Sequence, residues 1–379
     1  MIKAGIYIHI PFCTQKCIYC DFYSMEKREG DIPRFVDMII REIELTALDY
    51  HENWTFDTIF VGGGTPSLME PKWFEKILNT LDRSFDISKV KEITLEANPG
   101  EAPLDKLAEF YNLGINRISI GFQSLQPNLL KFLSRIHSPQ DCFSTYQNAG
   151  DIGFNNINVD MIYNIPGQNL NVFQVDLEQI IKLEPEHISA YALTVEKNTP
   201  LYTKVHDGEI TMPSEEMDHD MFEFCRKYLA SQGYGQYEIS NYARDGLECH
   251  HNLHYWNLEP YLAFGPSAHG YDGHSRWWNT SSLDAYVQML AHNERPISGS
   301  EKLSQSDHFN EVVFNGLRTR EGIQLQKIHS LEAASEKMNP TIQKWNEQLK
   351  ITKDAISLKS DSIKYADEIA SDMMQNETK

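Results

Sequence analysis

Six short stretches rich in β-branched and aromatic residues recur through the first half of the chain. They fall near residues 6–10, 58–61, 92–96, 117–121, 156–163 and 187–193. Amphipathic stretches separate them, such as 31–50, where Phe35, Met38, Ile39, Ile43 and Leu45 recur near helical spacing. Other helices start at Pro71, span 104–113 with Gly114 as cap, run toward Asp151, and cover 169–183. Strand followed by helix, six times over, predicts a parallel sheet with right-handed crossovers. The period is irregular, which excludes a solenoid. A doubly wound open sheet is the rival arrangement. Each strand here, however, ends in a polar or glycine-bearing loop, the pattern of a barrel whose loops meet at its C-terminal face. Six units instead of eight leave such a barrel open at the side and suit it to a large substrate.

The loop after the first strand carries Cys13, Cys17 and Cys20. A C-x3-C-x2-C spacing lets one loop wrap a compact metal object with three converging thiolates. Iron–sulfur clusters take four protein ligands as a rule, so three with no nearby fourth predict a [4Fe–4S] cluster with one iron left open. Zinc is the alternative. It needs a fourth tetrahedral ligand, and only His9 or Asp21 lies close in sequence. A disulfide framework fits badly, because the cysteines near the start form an odd triplet and the chain reads as cytoplasmic.

Composition narrows the class further. At 379 residues, 41% of them hydrophobic and 23% charged, the chain has ordinary globular character. Its formal net charge of −20 argues against nucleic-acid binding, which needs clustered Lys and Arg. The start of the chain has no basic segment leading into an apolar run, and no stretch is long enough to span a bilayer. The expected location is the cytoplasm.

Polar residues at the strand ends mark the candidate site. Gly62-Gly63-Gly64-Thr65 follows the second strand but lacks the Gly-Lys-Ser/Thr ending of a phosphate loop. Its glycines are expected to expose backbone N–H and C=O groups to a ligand. Glu96, Gln123, Arg135 and Asp160 are placed on the same rim. A second constellation, Cys249-His250-His251-Asn252-Leu253-His254-Tyr255-Trp256, lies in an aromatic, loop-rich segment, 234–278, that also holds His269 and His274. Imidazoles at this density point to a metal or a flat aromatic ligand, and Cys249 with these histidines leaves zinc open. After Pro296 the chain turns polar and helix-rich, which divides it into domains 1–290 and 291–379.

The motifs together resemble the radical S-adenosylmethionine (SAM) superfamily, and within it the oxygen-independent coproporphyrinogen III oxidase-like group. The resemblance rests on the Tyr-Ile-His-Ile-Pro-Phe-Cys lead-in, Gly-Gly-Gly-Thr-Pro, Glu96-Ala-Asn-Pro, Gly121-Phe-Gln-Ser, Arg135-Ile-His and Asn158-Val-Asp160. It implies an α/β fold, a partial (β/α)6 radical-SAM barrel followed by a small helical, winged-helix-like C-terminal domain. Cys13, Cys17 and Cys20 would hold the [4Fe–4S] cluster, whose open iron would chelate the amino and carboxylate groups of SAM. Tyr7, Tyr19, Gly63, Gly64, Thr65, Glu96, Gln123, Arg135 and Asp160 match the family's SAM contacts, and Ala192 and His269 fall near further ones. An electron donor would reduce the cluster, and electron transfer into the sulfonium would yield methionine and a 5′-deoxyadenosyl radical. The oxidase branch carries another cysteine where this chain has Phe22, and it has an N-terminal extension ahead of its cluster loop. His251-Asn252-Leu253-His254-Tyr255-Trp256 is instead similar to the H-N-x-x-Y-W motif of a haem chaperone branch. The expected function is therefore binding of one haem through His251 and its delivery to acceptor haem proteins. The alternative is oxidative decarboxylation of coproporphyrinogen III.

Overall fold

Strand β1 (Ile2–Ile10) lies in the middle of a twelve-stranded sheet, with Ala4, Ile6, Ile8 and Ile10 fully buried. The structure, a computed structural model, describes residues 1–50, 52–328 and 335–374. On one side of β1 the strands β2 (Trp54–Gly63), β3 (Glu92–Ala97), β4 (Arg117–Gln123), β5 (Ile157–Tyr163) and β6 (His187–Ala192) follow in chain order, all parallel. Strands β7 (Gly235–Gln236) and β8 (Asn241–Ala243) continue this side, with β8 antiparallel to β6.

The crossovers are helices α1 (Ile32–Tyr50), α2 (Pro71–Ser84), α3 (Leu104–Asn112), α4 (Pro139–Ile152) and α5 (Leu170–Ile181). Each turns an apolar stripe to the sheet, as Phe35, Val36, Ile39 and Ile43 do on α1. Local signals set the ends of α4. Ser138 and Asp141 form a capping box, Pro139 opens the first turn, and Gly153 closes the helix at φ 115°. These strand–helix units form the barrel expected from the alternation.

The aromatic segment 234–278 is more ordered than its loop-like composition suggests. Helix α6 (Glu215–Ser231) leads into it. Besides β7 and β8 the segment contains a short helix α7 (His250–Trp256) and strands β9 (Tyr261–Phe264), β10 (His269–Tyr271) and β11 (Ser275–Asn279). Strand β9 lies parallel to β1 on its free edge, giving a seventh parallel strand, and β10, β11 and β12 (Ile297–Lys302) extend the sheet antiparallel. These strands are only three to six residues long, too short for a period-two pattern to stand out.

Strand β12 lies beyond the division drawn at residue 290, yet it pairs within the large sheet. A separate apolar core begins at Phe309. It joins Val312 and Val313 of the helix Gln305–Gly316, and Leu317 that caps it, to Ile323, Ile356, Ile369 and Met373. A three-stranded antiparallel sheet accompanies it. No helix among the described residues is long and apolar enough to cross a membrane.

Candidate functional site

Because β1 to β6 are parallel, their C-terminal ends lie along one edge, and the loops that leave them face each other. The cysteine loop leaves β1 and folds back over β2. Gly64 N–H donates to Ile10 O and Thr65 N–H to Phe12 O, each at 2.7 Å, and Gly63 N–H donates to a Glu96 carboxylate oxygen at 3.0 Å. The glycine loop therefore does not offer these three N–H groups to a ligand, contrary to the expectation from its composition. Two are used up in seating the cysteine loop and the third in holding the Glu96 carboxylate. Glycine is required sterically: a Cβ on Gly64 would stand 2.6 Å from Phe12 O, and one on Gly63, at φ +106°, would overlap the His9 ring.

Cys13 and Cys17 are buried and Cys20 partly so. The three thiols face one cavity of about 440 Å³, with Tyr19, Gly63, Gly64 and Thr65 on the near wall. Glu96, Gln123, Arg135, Asp160 and Ala192 line the rest. The Thr65 hydroxyl donates to Cys13 Sγ at 3.6 Å, and Arg135 Nη1 donates to Cys17 Sγ at 3.4 Å. Burial raises the Cys13 thiol above its ordinary range and pushes Cys20 up to about 11. Arg135 is not on a strand end. It follows the short helix Pro127–Phe132 and reaches the site from outside, its Nη2 donating to Gly121 O at 2.8 Å and to Asn98 Oδ1 at 2.9 Å. Gln123 ends β4 at φ 64°, where the pairing to β5 is irregular.

Asp160 lies within β5 and points into the barrel. Ser119 Oγ and Asn158 Nδ2 donate to it at 2.9 and 2.7 Å. Glu96 faces the same interior, and burial, reinforced by the charge of Asp160, pushes its carboxyl up to about 8. Burial likewise raises Asp160. Behind them Arg117, 2% exposed, is the one fully enclosed guanidinium among the largest buried side chains, and His187 bonds Asn158 and Tyr237 at 2.6 and 2.8 Å. This polar interior was legible as a period-two alternation, Arg117, Ser119 on β4, Asn158, Asp160 on β5 and His187, Ser189, Tyr191 on β6, with Ile and Val between. Read as separate strand ends, those residues do not reveal it.

A second cavity, about 500 Å³, adjoins the first and shares Gly63, Glu96, Asp160 and Tyr191 with it. Its walls combine aromatic rings, from Tyr7, Phe22, Tyr23, Phe60, Tyr255 and Tyr261, and the imidazoles of His9 and His269 with polar strand residues such as Arg117, Asn158 and Asp160. The Tyr7 hydroxyl donates to His9 Nδ1 at 3.0 Å, because His9 Nε2–H donates to Tyr23 O at 2.7 Å.

The histidines of the 249–256 motif do not converge. His251 is 0% exposed; its Nδ1 bonds Thr58 Oγ1 and its Nε2 bonds Tyr255 OH, both at 2.9 Å. Its backbone N–H donates to Glu92. His254 sits between Asp57 at 2.7 Å and Glu259 at 2.8 Å, an internal ion cluster that ties α7 to β2. Cys249 Sγ points to Glu92 at 3.6 Å. Among the described residues no three His, Cys, Asp or Glu side chains gather where a single metal ion would sit. The cysteine loop instead presents its thiols along the wall of a cavity with room for several metal atoms, a donor set that suits an iron–sulfur cluster.

A parallel barrel with this cysteine loop defines the class, and the comparisons agree. Residues 7–180 match the Radical SAM superfamily, and the chain belongs to it. Within it, the chain belongs with proteins named heme chaperone HemW. It is 33% identical to that of Bacillus subtilis over 323 residues, 85% of each chain. It is 38% identical to that of Escherichia coli over 268 residues, 70% of this chain and 69% of the other. The backbone also superposes on the solved coproporphyrinogen III oxidase (HemN) of Escherichia coli with TM-score 0.85, over 99% of this chain and 90% of that one. At 19% identity that likeness establishes the fold alone.

Proposed function

We propose that the protein is a haem chaperone that carries a [4Fe–4S] cluster and SAM, takes up haem in the aromatic cavity, and passes it to acceptor haem proteins. The observation that carries the reading is the junction of two cavities, one walled by the three thiols and one whose walls include flat aromatic rings. The names of the relatives supply the cargo. In this reading Cys13, Cys17 and Cys20 hold the cluster, with the Thr65 hydroxyl and the Arg135 guanidinium donating to thiolate sulfur and offsetting its negative charge. Once bound and reduced by an external donor, the cluster supplies an electron to the sulfonium of SAM. Glu96 and Asp160, which line the same cavity, present acceptors to ribose hydroxyls. Tyr7, Tyr19 and Gln123 close the walls around the nucleoside. Phe60, Tyr255 and Tyr261 provide the faces on which a planar ring system lies.

The test is anaerobic reconstitution of the full chain with iron and sulfide, followed by haem titration and transfer to an apo haem protein. Expected are an oxygen-sensitive iron–sulfide absorption, saturable haem uptake, and a haem spectrum that moves to the acceptor. No uptake of haem, or vinyl formation from coproporphyrinogen III under the same reducing conditions, would overturn the reading.

A further inference from the structure

Arg117 opens β4 on the inner face of the barrel and is 2% exposed. Its Nε has no hydrogen-bond partner, and no carboxylate among the described residues forms an ion pair with its guanidinium. Arginine carries five N–H donors and keeps its charge at any pH the protein meets. Buried without partners, such a group bears the full penalty of lost hydration. The acids around it are engaged elsewhere. Glu92 accepts from the backbone N–H groups of His250 and His251, each at 3.0 Å. Asp160 accepts from Ser119 and Asn158. Glu96, pushed up to about 8 by burial and by Asp160, is mostly uncharged at neutral pH.

The sheet register shows what the guanidinium faces. Tyr7 pairs with Phe60, Phe60 with Thr94 and Thr94 with Arg117, so the four residues form one row across β1 to β4. Neighbours in such a row project to the same face of the sheet, here the barrel interior. The Tyr7 and Phe60 rings stack at 6.3 Å and 29°. Thr94 is 0% exposed, and its Oγ1 also lacks a partner. The row thus runs from two flat rings to an unpartnered hydroxyl and an unpartnered guanidinium. Phe60 and Arg117 stand two strand spacings apart, about 10 Å. A ring lying on Phe60 spans that gap with a short acidic side arm. Tyr7, Phe60 and Arg117 all line the aromatic cavity, and none of them lines the thiol-walled one. The open donors are therefore offered to the contents of the aromatic cavity and not to the amino-acid end of SAM.

The geometry points to Arg117, assisted by the Thr94 hydroxyl, as the site that receives a carboxylate of a flat, acid-bearing ring ligand. On the chaperone reading, on which this inference rests, that carboxylate is a haem propionate. Two N–H groups of the guanidinium donate to its two oxygens, and each charge neutralises the other inside the barrel. The assignment concerns the edge of the ligand and leaves its iron aside. Reconstituted full-length protein is titrated with haem and with haem dimethyl ester, in which both carboxylates are blocked. Wild type is expected to bind haem at least about tenfold more tightly than the ester. Arg117→Met is expected to bring the two affinities together by weakening haem alone, with iron–sulfide absorption and SAM uptake unchanged. Arg117→Lys, which keeps the charge without the paired donors, should fall between them. A wild-type ratio in Arg117→Met overturns the assignment, and so does a wild type that binds acid and ester alike. The latter measurement needs no variant, so it decides the matter even where a variant fails to fold. A wild type that takes up no haem defeats the chaperone reading and this inference with it, which tells the two failures apart.

Discussion

Replacing Gly64 by alanine tests how tightly the glycine loop seats the cysteine loop. The new Cβ would stand 2.6 Å from Phe12 O, 2.8 Å from Ile10 O and 3.1 Å from Cys13 Sγ, and the first two are backbone atoms that no rotamer change can move. To reach ordinary contact the two segments must separate by about 0.8 Å, which stretches both 2.7 Å bonds, Gly64 N–H to Ile10 O and Thr65 N–H to Phe12 O. Losing them costs about 1 kcal/mol each, and overpacking adds about 1–3 kcal/mol. The stiffer unfolded chain offsets about 0.4–1 kcal/mol. The net expectation is about 2–4.5 kcal/mol of lost stability, read as a lower urea midpoint for the cofactor-free protein. Iron uptake on reconstitution should fall with it, because Cys13 moves. Gly150→Ala is the control. Gly150 lies within α4 with nothing inside 4 Å of its would-be Cβ, so that change should stabilise by about 0.5–1 kcal/mol. A Gly64→Ala midpoint within error of wild type would refute the seating argument.

Three further outcomes follow from the site. Serine in place of Cys13, Cys17 or Cys20 should abolish the oxygen-sensitive iron–sulfide absorption after anaerobic reconstitution, whereas serine at the buried Cys225 of α6 should leave it; an intact chromophore in any of the first three removes that cysteine from the ligand set. Burial disfavours a charged His254, but Asp57 and Glu259 outweigh it and raise its pKa above 6.5. Its stabilising contribution is therefore complete below the unfolded value and is lost as pH rises through the folded one; His254→Gln should cost more stability at pH 6 than at pH 9, and equal losses would contradict the ion cluster. Glu96 moves from an ordinary 4.5 to about 8, so the folded protein keeps a proton across that window which the unfolded chain has released. Stability should fall as pH rises from 4.5 to 8, and Glu96→Gln should flatten that slope in urea midpoints taken across the range; an unchanged slope would mean the carboxyl is ionised throughout.

The sequence reveals most about parts whose signals are local. The C-x3-C-x2-C spacing needs only eight residues, and β1, β2, β3 and β5 carry apolar β-branched runs soon closed by Gly or Pro. Arg135 shows the opposite case. Its bond to Cys17 joins residues 118 apart, so the Arg135-Ile-His resemblance can place the side chain at the site but not on that sulfur. His251 is similar: its ring-bearing neighbours are visible in the motif, but its burial depends on Gly5 and Thr58, on strands far away in the chain. The short strands β9 to β12 owe their order to pairing with β1 and with each other, a cooperative effect that single-strand propensity does not register.

The central position of β1 bears on how the protein comes off the ribosome. One edge of this first strand is covered by β2, but the other waits for Tyr261–Phe264. At about 5–20 residues per second, that partner emerges roughly 10 to 50 seconds later. During this interval a long row of backbone N–H and C=O groups stays open beside the cysteine loop. The thiol-lined cavity draws its walls from residues no later than Glu196, so the cysteine loop can be seated on Gly64 and Thr65 while this edge is still uncovered.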